Sequence, residues 1–261
     1  MGNLFSEHAE TSKRVIWCDT EGGMRDKPMW DITFVDEGPG EEMHALRIFD
    51  VSAAHKAGRA KLRKTMPLSV YCMALKQSRA CIARYTISKA GGVGKATFLV
   101  TSDTPKELVA AYLVQRKGCV LCAWNMRAHD KHVLRRLVGK EVLDNVLLWD
   151  ALPWFRSRYT LPKNTMSSDK PGTPRAVFKV KSSGAAHTSL ADALHMRDVV
   201  VRAAYCCTDG NDLSAWKHAS DDELFAAAQK QIADEVDVQE WIEVPVCEWN
   251  GDLPLSVKEY M

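Results

Sequence analysis

Val15-Ile16-Trp17-Cys18-Asp19-Thr20-Glu21-Gly22-Gly23 reads as a short apolar strand that runs into two carboxylates and breaks on a glycine pair. A buried strand has no packing use for Asp19 followed two positions later by Glu21. Residues i and i+2 of an extended chain point to one face, so the two charges stand side by side. Close carboxylates repel unless something positive sits between them, and a divalent cation is the usual remedy. Gly22 and Gly23 then let a ligand or another backbone approach. Read in isolation, the same residues also fit a polar turn that closes a strand.

Working outward, Asp31-Ile32-Thr33-Phe34-Val35 alternates as a half-buried strand does, and Asp36-Glu37-Gly38-Pro39-Gly40 is a turn cluster. His44 to Phe49 alternates again, which predicts a hairpin after the first strand. A basic, alanine-rich segment with Lys56, Arg59, Lys61, Arg63 and Lys64 reads as a helical or looped solvated surface. Residues 68–100 resist assignment. Within them, Ala90-Gly91-Gly92-Val93-Gly94-Lys95-Ala96-Thr97 superficially suggests a phosphate-binding loop. That motif needs glycine where Lys89 stands and Ser or Thr where Ala96 stands, so a hairpin turn before the strand Phe98–Val100 is expected.

Thr104-Pro105-Lys106-Glu107 predicts a capped helix start, and Gly118 its end. Cys119 to Ala123 reads as a buried strand. Cys119 and Cys122 form a CxxC without a second pair, and on a strand they face opposite sides, so both are expected in the core. A helix through Val133, Leu134 and Leu137 follows, then a strand from Val146 to Trp149 that ends at Asp150. Arg156 to Lys181 is basic and loop-rich, and its aromatics Trp154, Phe155, Tyr159 and Phe178 suggest a track for single-stranded nucleic acid or a solvated loop. Helices are expected from Ser189 to about Tyr205 and from about Asp221 to Val236. Strands alternating with helices after an initial hairpin predict an α/β fold with a mixed central sheet.

Among 261 residues there are eight cysteines without a disulfide-like framework, and the sequence shows no secretory signal or long apolar span. An intracellular, reducing setting, cytoplasmic or nuclear, is expected. Net charge is +2 but uneven: residues 209–261 carry thirteen Asp and Glu against three Lys, leaving a basic body of about +12. That balance favours a polyanionic partner. Met1-Gly2-Asn3-Leu4-Phe5-Ser6 fits the N-myristoylation pattern at Gly2, which would bring membrane association, and equally fits a plain leader.

Carboxylates recur at element ends. Asp19 and Glu21 close the first strand, Asp130 lies just past the Cys119–Ala123 strand, and Asp192 sits in the first turn of a helix five residues after His187. In α/β sheets such ends gather at one edge, where ligands bind. Four carboxylates and a histidine are the equipment of two-metal phosphodiester hydrolysis. Taken singly, Asp130 fits a helix N-cap, Asp192 a capping box with Ser189, and His187 an ordinary loop histidine.

The order Asp19-x-Glu21, Asn125-x4-Asp130, His187-x4-Asp192 resembles the DEDD superfamily of 3′–5′ exonucleases, in its histidine-containing DEDDh branch. The Asn125–Asp130 spacing, Trp149-Asp150-Ala151-Leu152-Pro153 and His187-Thr188 look like those of the three-prime repair exonucleases. Trp124 replaces a usual His, His129 a usual aromatic and Gly22-Gly23 a Thr-Thr-Gly. No match extends over about 51–94. The resemblance implies a ribonuclease H-like mixed central sheet flanked by helices. It implies a leader over 1–14, an exonuclease domain over 15–208 and an acidic helical extension over 209–261. It implies two Mg²⁺, with Mn²⁺ as substitute, held by Asp19, Glu21, Asp130 and Asp192, with Asp19 bridging and His187 as general base. Thr20 and Gly22, through the backbone after Asp19, would hold the 3′ nucleotide, and Asn125 would orient the strand. The expected substrate is a single-stranded 3′ end, with DNA favoured. An RNA-trimming enzyme, a catalytically silent nucleic-acid-binding or membrane adaptor, and a homodimer are compatible with the same residues.

Overall fold

A computed structural model describes residues 11–12, 14–23, 27–38, 42–88, 92–166, 170–181, 188–208, 212–236 and 244–245. Seven strands form one mixed, mostly antiparallel sheet: β1 (Val15–Gly22), β2 (Met29–Glu37), β3 (Met43–Asp50), β4 (Ala80–Ile87), β5 (Thr97–Thr101), β6 (Val120–Ala123) and β7 (Leu147–Asp150). The strand order is β5-β4-β3-β2-β1-β6-β7. From β1 to β5 every pairing is antiparallel, while β6 pairs parallel with β1 and β7 parallel with β6. The fold is therefore α/β, with helices on both faces.

The helices are α1 (Val51–Lys56), α2 (Leu68–Gln77), α3 (Pro105–Gln115), α4 (Asp130–Val138), α5 (Lys140–Leu143), α6 (Ala151–Arg158), α7 (Pro174–Val177), α8 (Ser189–Thr208) and α9 (Asp221–Glu235). Short 3₁₀ turns cover Ala60–Thr65 and Ala215–His218. Helix α3 starts with the expected capping box between Thr104 and Glu107.

Two cores follow from the period of β1. Val15 and Trp17 belong to the apolar layer beneath α8, which also contains Ala193, Leu194 and Val200. Ile16 and Cys18 belong to the opposite layer, with Leu108, Val109 and Leu134 of α3 and α4. Fully burying each such aliphatic side chain contributes roughly 1.5–3 kcal/mol. Cys119 and Cys122 are buried in opposite layers, as core residues rather than a metal pair. All seven described cysteines are free. No helix among the described residues is long and apolar enough to cross a membrane.

Three findings depart from the sequence reading. Strand β2 is buried along its whole length, because α8 covers the Asp31–Thr33 side that alternation assigned to solvent, while Asp36, on the other face, is buried against Arg14 and Arg116. Partners on α8 and on β3 compensate the groups that α8 covers. Ser189 donates to Asp31 and hydrogen-bonds Thr33, Arg47 donates two hydrogen bonds to Asp31, and Arg197 pairs with Glu37. Residues 68–100 hold α2 and β4 besides the expected strand at Phe98–Val100, so the stretch that resisted assignment supplies a helix and a further strand of the main sheet. Third, Trp154, Phe155, Tyr159 and Phe178 are buried and pack on one another, Phe155 lying 4.9 Å from Tyr159 between ring centroids. They fill the core, so the expected aromatic track for bases is absent there. Arg156, Arg158, Lys163, Lys170, Lys179 and Lys181 remain exposed, whereas Arg175 is buried.

The acidic C-terminal region contributes α9, which packs on α8. Asp221 pairs with the buried Arg197, Leu224, Phe225 and Ile232 join the core, and Glu235 accepts from Trp149 Nε1. The leader residues Thr11–Ser12 pair with Val244–Pro245.

Candidate metal centre

The period of β1 decides which carboxylate meets which helix. Asp19 and Glu21 continue the Val15–Trp17 face towards α8, and Thr20 continues the Ile16–Cys18 face towards α4. On the first face, carboxylate oxygens of Asp19, Glu21 and Asp192 lie within 4.8 Å of one another, the one such three-residue grouping among the described residues. Separations within that bound are compatible with the oxygen shell of a divalent cation, about 4.2 Å across for Mg²⁺ and about 5 Å for Ca²⁺. On the second face, the Thr20 hydroxyl donates to Asp130 Oδ1 at 2.7 Å. Both faces meet at the sheet edge in a cavity of about 230 Å³ lined by Cys18, Asp19, Trp124, Asn125, His129, Asp130, Thr165, Met166, Asp192 and Met196.

Local chemistry fixes each position. Gly22 has φ +86° beside an irregularity in the β1–β2 pairing, and a Cβ there would stand 2.5 Å from the Trp30 ring and 2.6 Å from the Pro28 carbonyl oxygen. Gly23, at φ +76°, faces Val133 of α4 equally closely. The glycines therefore admit the protein's own Trp30 and Val133. Asp130 is the first residue of α4, buried to 3 % exposure, with His129 in the capping position. Asp192 lies in the first turn of α8, where the helix dipole favours negative charge. Thr188, rather than Ser189, caps α8, accepting from the Ala191 N–H at 3.3 Å. The Ser189 hydroxyl instead donates to Asp31 at 2.7 Å. That bond and the Arg47–Asp31 pair hold the end of α8 that carries Asp192.

The electrostatics are those of an uncompensated anionic centre. Burial, then the charges of Asp130, Asp192, Glu21 and Asp31, raises the Asp19 carboxyl well above its ordinary range. Glu21 is pushed up to about 7 by burial first, then by Asp31 and Asp192, with Arg59 and Arg47 acting in the opposite sense. Burial also raises Asp130, against the hydrogen bond from Thr20 and the proximity of His129. Among the described residues, Asp192 Oδ1 is buried with no hydrogen-bond donor, and His195 Nδ1 lies 3.8 Å away. A buried carboxylate oxygen without a donor, beside two more carboxylates, is a ligand set that a divalent cation fits.

Of the residues singled out in the sequence, Asp19, Glu21 and Asp192 come together, and Asp130 joins Asp19 and Asp192 across the cavity. Asn125 is exposed at its rim. The Thr20 hydroxyl is committed to Asp130, and the Thr20 backbone hydrogen-bonds the same carboxylate. His187 and Gly2 lie outside the described residues. Asp31, Arg47 and Ser189 were missed, although Asp31 stands directly opposite Glu21 in the β1–β2 register. His129 was noted only as a departure from a motif, yet it lines the cavity. Trp124 donates to the Asn164 carbonyl, fastening the 164–166 segment over the cavity. Comparison of the chain with protein-family models, curated proteins and solved structures gives no match in any of the three.

Proposed function

We propose that the protein is a metal-dependent 3′–5′ exonuclease of the DEDDh kind, acting on nucleic-acid 3′ ends, with DNA favoured over RNA. The observation that carries this reading is the gathering of Asp19, Glu21 and Asp192, with Asp130 across the same cavity, at one edge of a mixed sheet. The sheet supports it as well. A central β1 bearing the first carboxylates, with an antiparallel hairpin on one side and parallel strands on the other, is what a ribonuclease H-like fold requires.

In this reading Asp19, Glu21, Asp130 and Asp192 would hold two divalent ions. Bound Mg²⁺ or Mn²⁺ would supply positive charge to the phosphate and acidify water. The protein's own contribution is to gather four carboxylates and hold them aligned. Thr20 orients Asp130, and the Arg47–Asp31–Ser189 network orients Asp192. His187 would take the proton of the attacking water, a task suited to an imidazole. The backbone at Thr20 and Gly22 holds the terminal nucleotide, and Asn125 orients the strand. Free cysteines throughout the described residues support an intracellular setting.

The test is digestion of single-stranded DNA, double-stranded DNA and RNA, each labelled at either end, with Mg²⁺, Mn²⁺ or EDTA. A 5′-labelled strand should yield a ladder that shortens from its 3′ end in the presence of metal only. Preference for RNA would move the assignment to the RNA-trimming reading. Binding without degradation under all metals would leave an adaptor.

A further inference from the structure

Between Asp50 and Asp103 the chain has ten Lys and Arg and no Asp or Glu, so this segment carries most of the basic body's excess charge. Its placement follows from register. Glu21 pairs with Asp31, Asp31 with Phe49, and Asp50 with Ala80. The connection from β3 to β4 therefore leaves and returns at the sheet edge that carries the carboxylates.

Lys56, Arg59, Arg63, Lys64, Lys76 and Arg79 on this connection are all exposed, and no ion pair among the described residues engages any of the six. A solvated helical surface ordinarily mixes signs, which limits self-repulsion; a one-sign surface needs an anionic occupant. The connection is also tied to the centre. Arg59 lies over the Trp30 ring, 4.8 Å from its centroid, and Trp30 packs against Gly22, the residue after Glu21.

We propose that residues 51–79 form the surface along which the protein holds the phosphodiester backbone of one nucleic-acid strand, with Arg59 the phosphate contact nearest the carboxylates. The surface takes its orientation from the nuclease reading, and its test does not depend on turnover. Arg59 also acts electrostatically on Glu21, which places its charge at the rim of the anionic centre. A strand held here would meet cations before the carboxylates, and its phosphates would be screened from them.

The experiment is fluorescence anisotropy of a labelled 20-nucleotide oligo(dT) with the full chain in EDTA, over a range of salt concentrations. Lys56→Gln/Arg63→Gln/Lys64→Gln is compared with Lys95→Gln/Lys117→Gln/Lys140→Gln, which removes equal charge from the opposite sheet edge. Each lost phosphate contact lowers the slope of log K against log salt by about 0.7, so the first triple variant should lose about 2. Its affinity should fall about tenfold or more, and the second triple should stay within about twofold of wild type. Arg59→Gln should weaken binding and Arg59→Lys should restore most of it, with thermal melts confirming that both fold. Equal losses in the two triples, or no binding by wild type, would overturn the proposal. So would unchanged oligo(dT) affinity in the first triple together with lost retention on phosphatidylserine vesicles. Binding that responds as expected, in a protein that never degrades the strand with Mn²⁺, would support this surface and overturn the exonuclease reading alone.

Discussion

Without metal, the protein should lose stability as pH rises from 5 to 7, and Glu21→Gln should remove the Glu21 share of that loss. The Glu21 pKa is raised from 4.5 to about 7 by burial and by Asp31 and Asp192. A carboxylate whose pKa is raised by folding binds its proton more tightly in the folded state. Its linkage contribution is therefore fully present below the unfolded value and is lost as pH rises through the folded one. Because the two states are each partly titrated at the ends of the interval, the slope stays below its full value of about 1.36 kcal/mol per pH unit, and the interval from 5 to 7 costs about 2.2 kcal/mol. That is an upper figure, since Glu21 is only half-buried and solvent screens it. Asp19 and Asp130, raised in the same direction, add to the loss. For a chain of this size 1 kcal/mol moves Tm by about 2–4 °C, so Glu21 alone accounts for at most roughly 4–9 °C. The assay is thermal unfolding in EDTA across this range. Repeated at pH 7.5 with Mn²⁺ at about 100 times its Kd, the melt should recover about 2.7 kcal/mol. A flat Tm in EDTA, or an equal fall in Glu21→Gln, would refute the reasoning.

Three further outcomes follow from the geometry. Thr20→Val removes the hydroxyl that donates to Asp130 and should cost about 1–3 kcal/mol in urea unfolding, with Mn²⁺ affinity lowered in calorimetry. Arg47→Met leaves the buried Asp31 without its cation and should cost about 3–5 kcal/mol by the same unfolding measurement. Gly22→Ala drives a Cβ into Trp30 and should cost at least about 2 kcal/mol more than Gly58→Ala, where only the positive φ opposes a side chain and the space is open.

The first carboxylates were legible because charge in a buried strand has no packing use, and a period of two states which face it takes. Asp130 and Asp192 were legible by position, at a strand's exit and a helix's first turn. The parts that were not legible depend on distant chain. Alternation in Asp31–Val35 distinguishes two faces but cannot say that a helix 158 residues later covers the polar one. Helix α2 hid because Leu68 and Met73 are exposed, which blurs its apolar stripe, and β4 went unread beside it. In 154–178 the aromatics are interleaved with charge, and only the fold shows them turned inward while the basic groups face out. The CxxC succeeded for the opposite reason: strand geometry alone separates Cys119 from Cys122.

The central claim is that Asp19 belongs to a metal centre that hydrolyses phosphodiesters from a 3′ end. It is tested most directly by incubating a 5′-labelled single-stranded oligonucleotide with wild type and Asp19→Asn, each with Mn²⁺ and with EDTA. The expected result is stepwise shortening by wild type with Mn²⁺, none with EDTA, and a loss of at least about 10³-fold in rate for a folded Asp19→Asn. Shortening that persists in Asp19→Asn, or that proceeds in EDTA, would contradict the account.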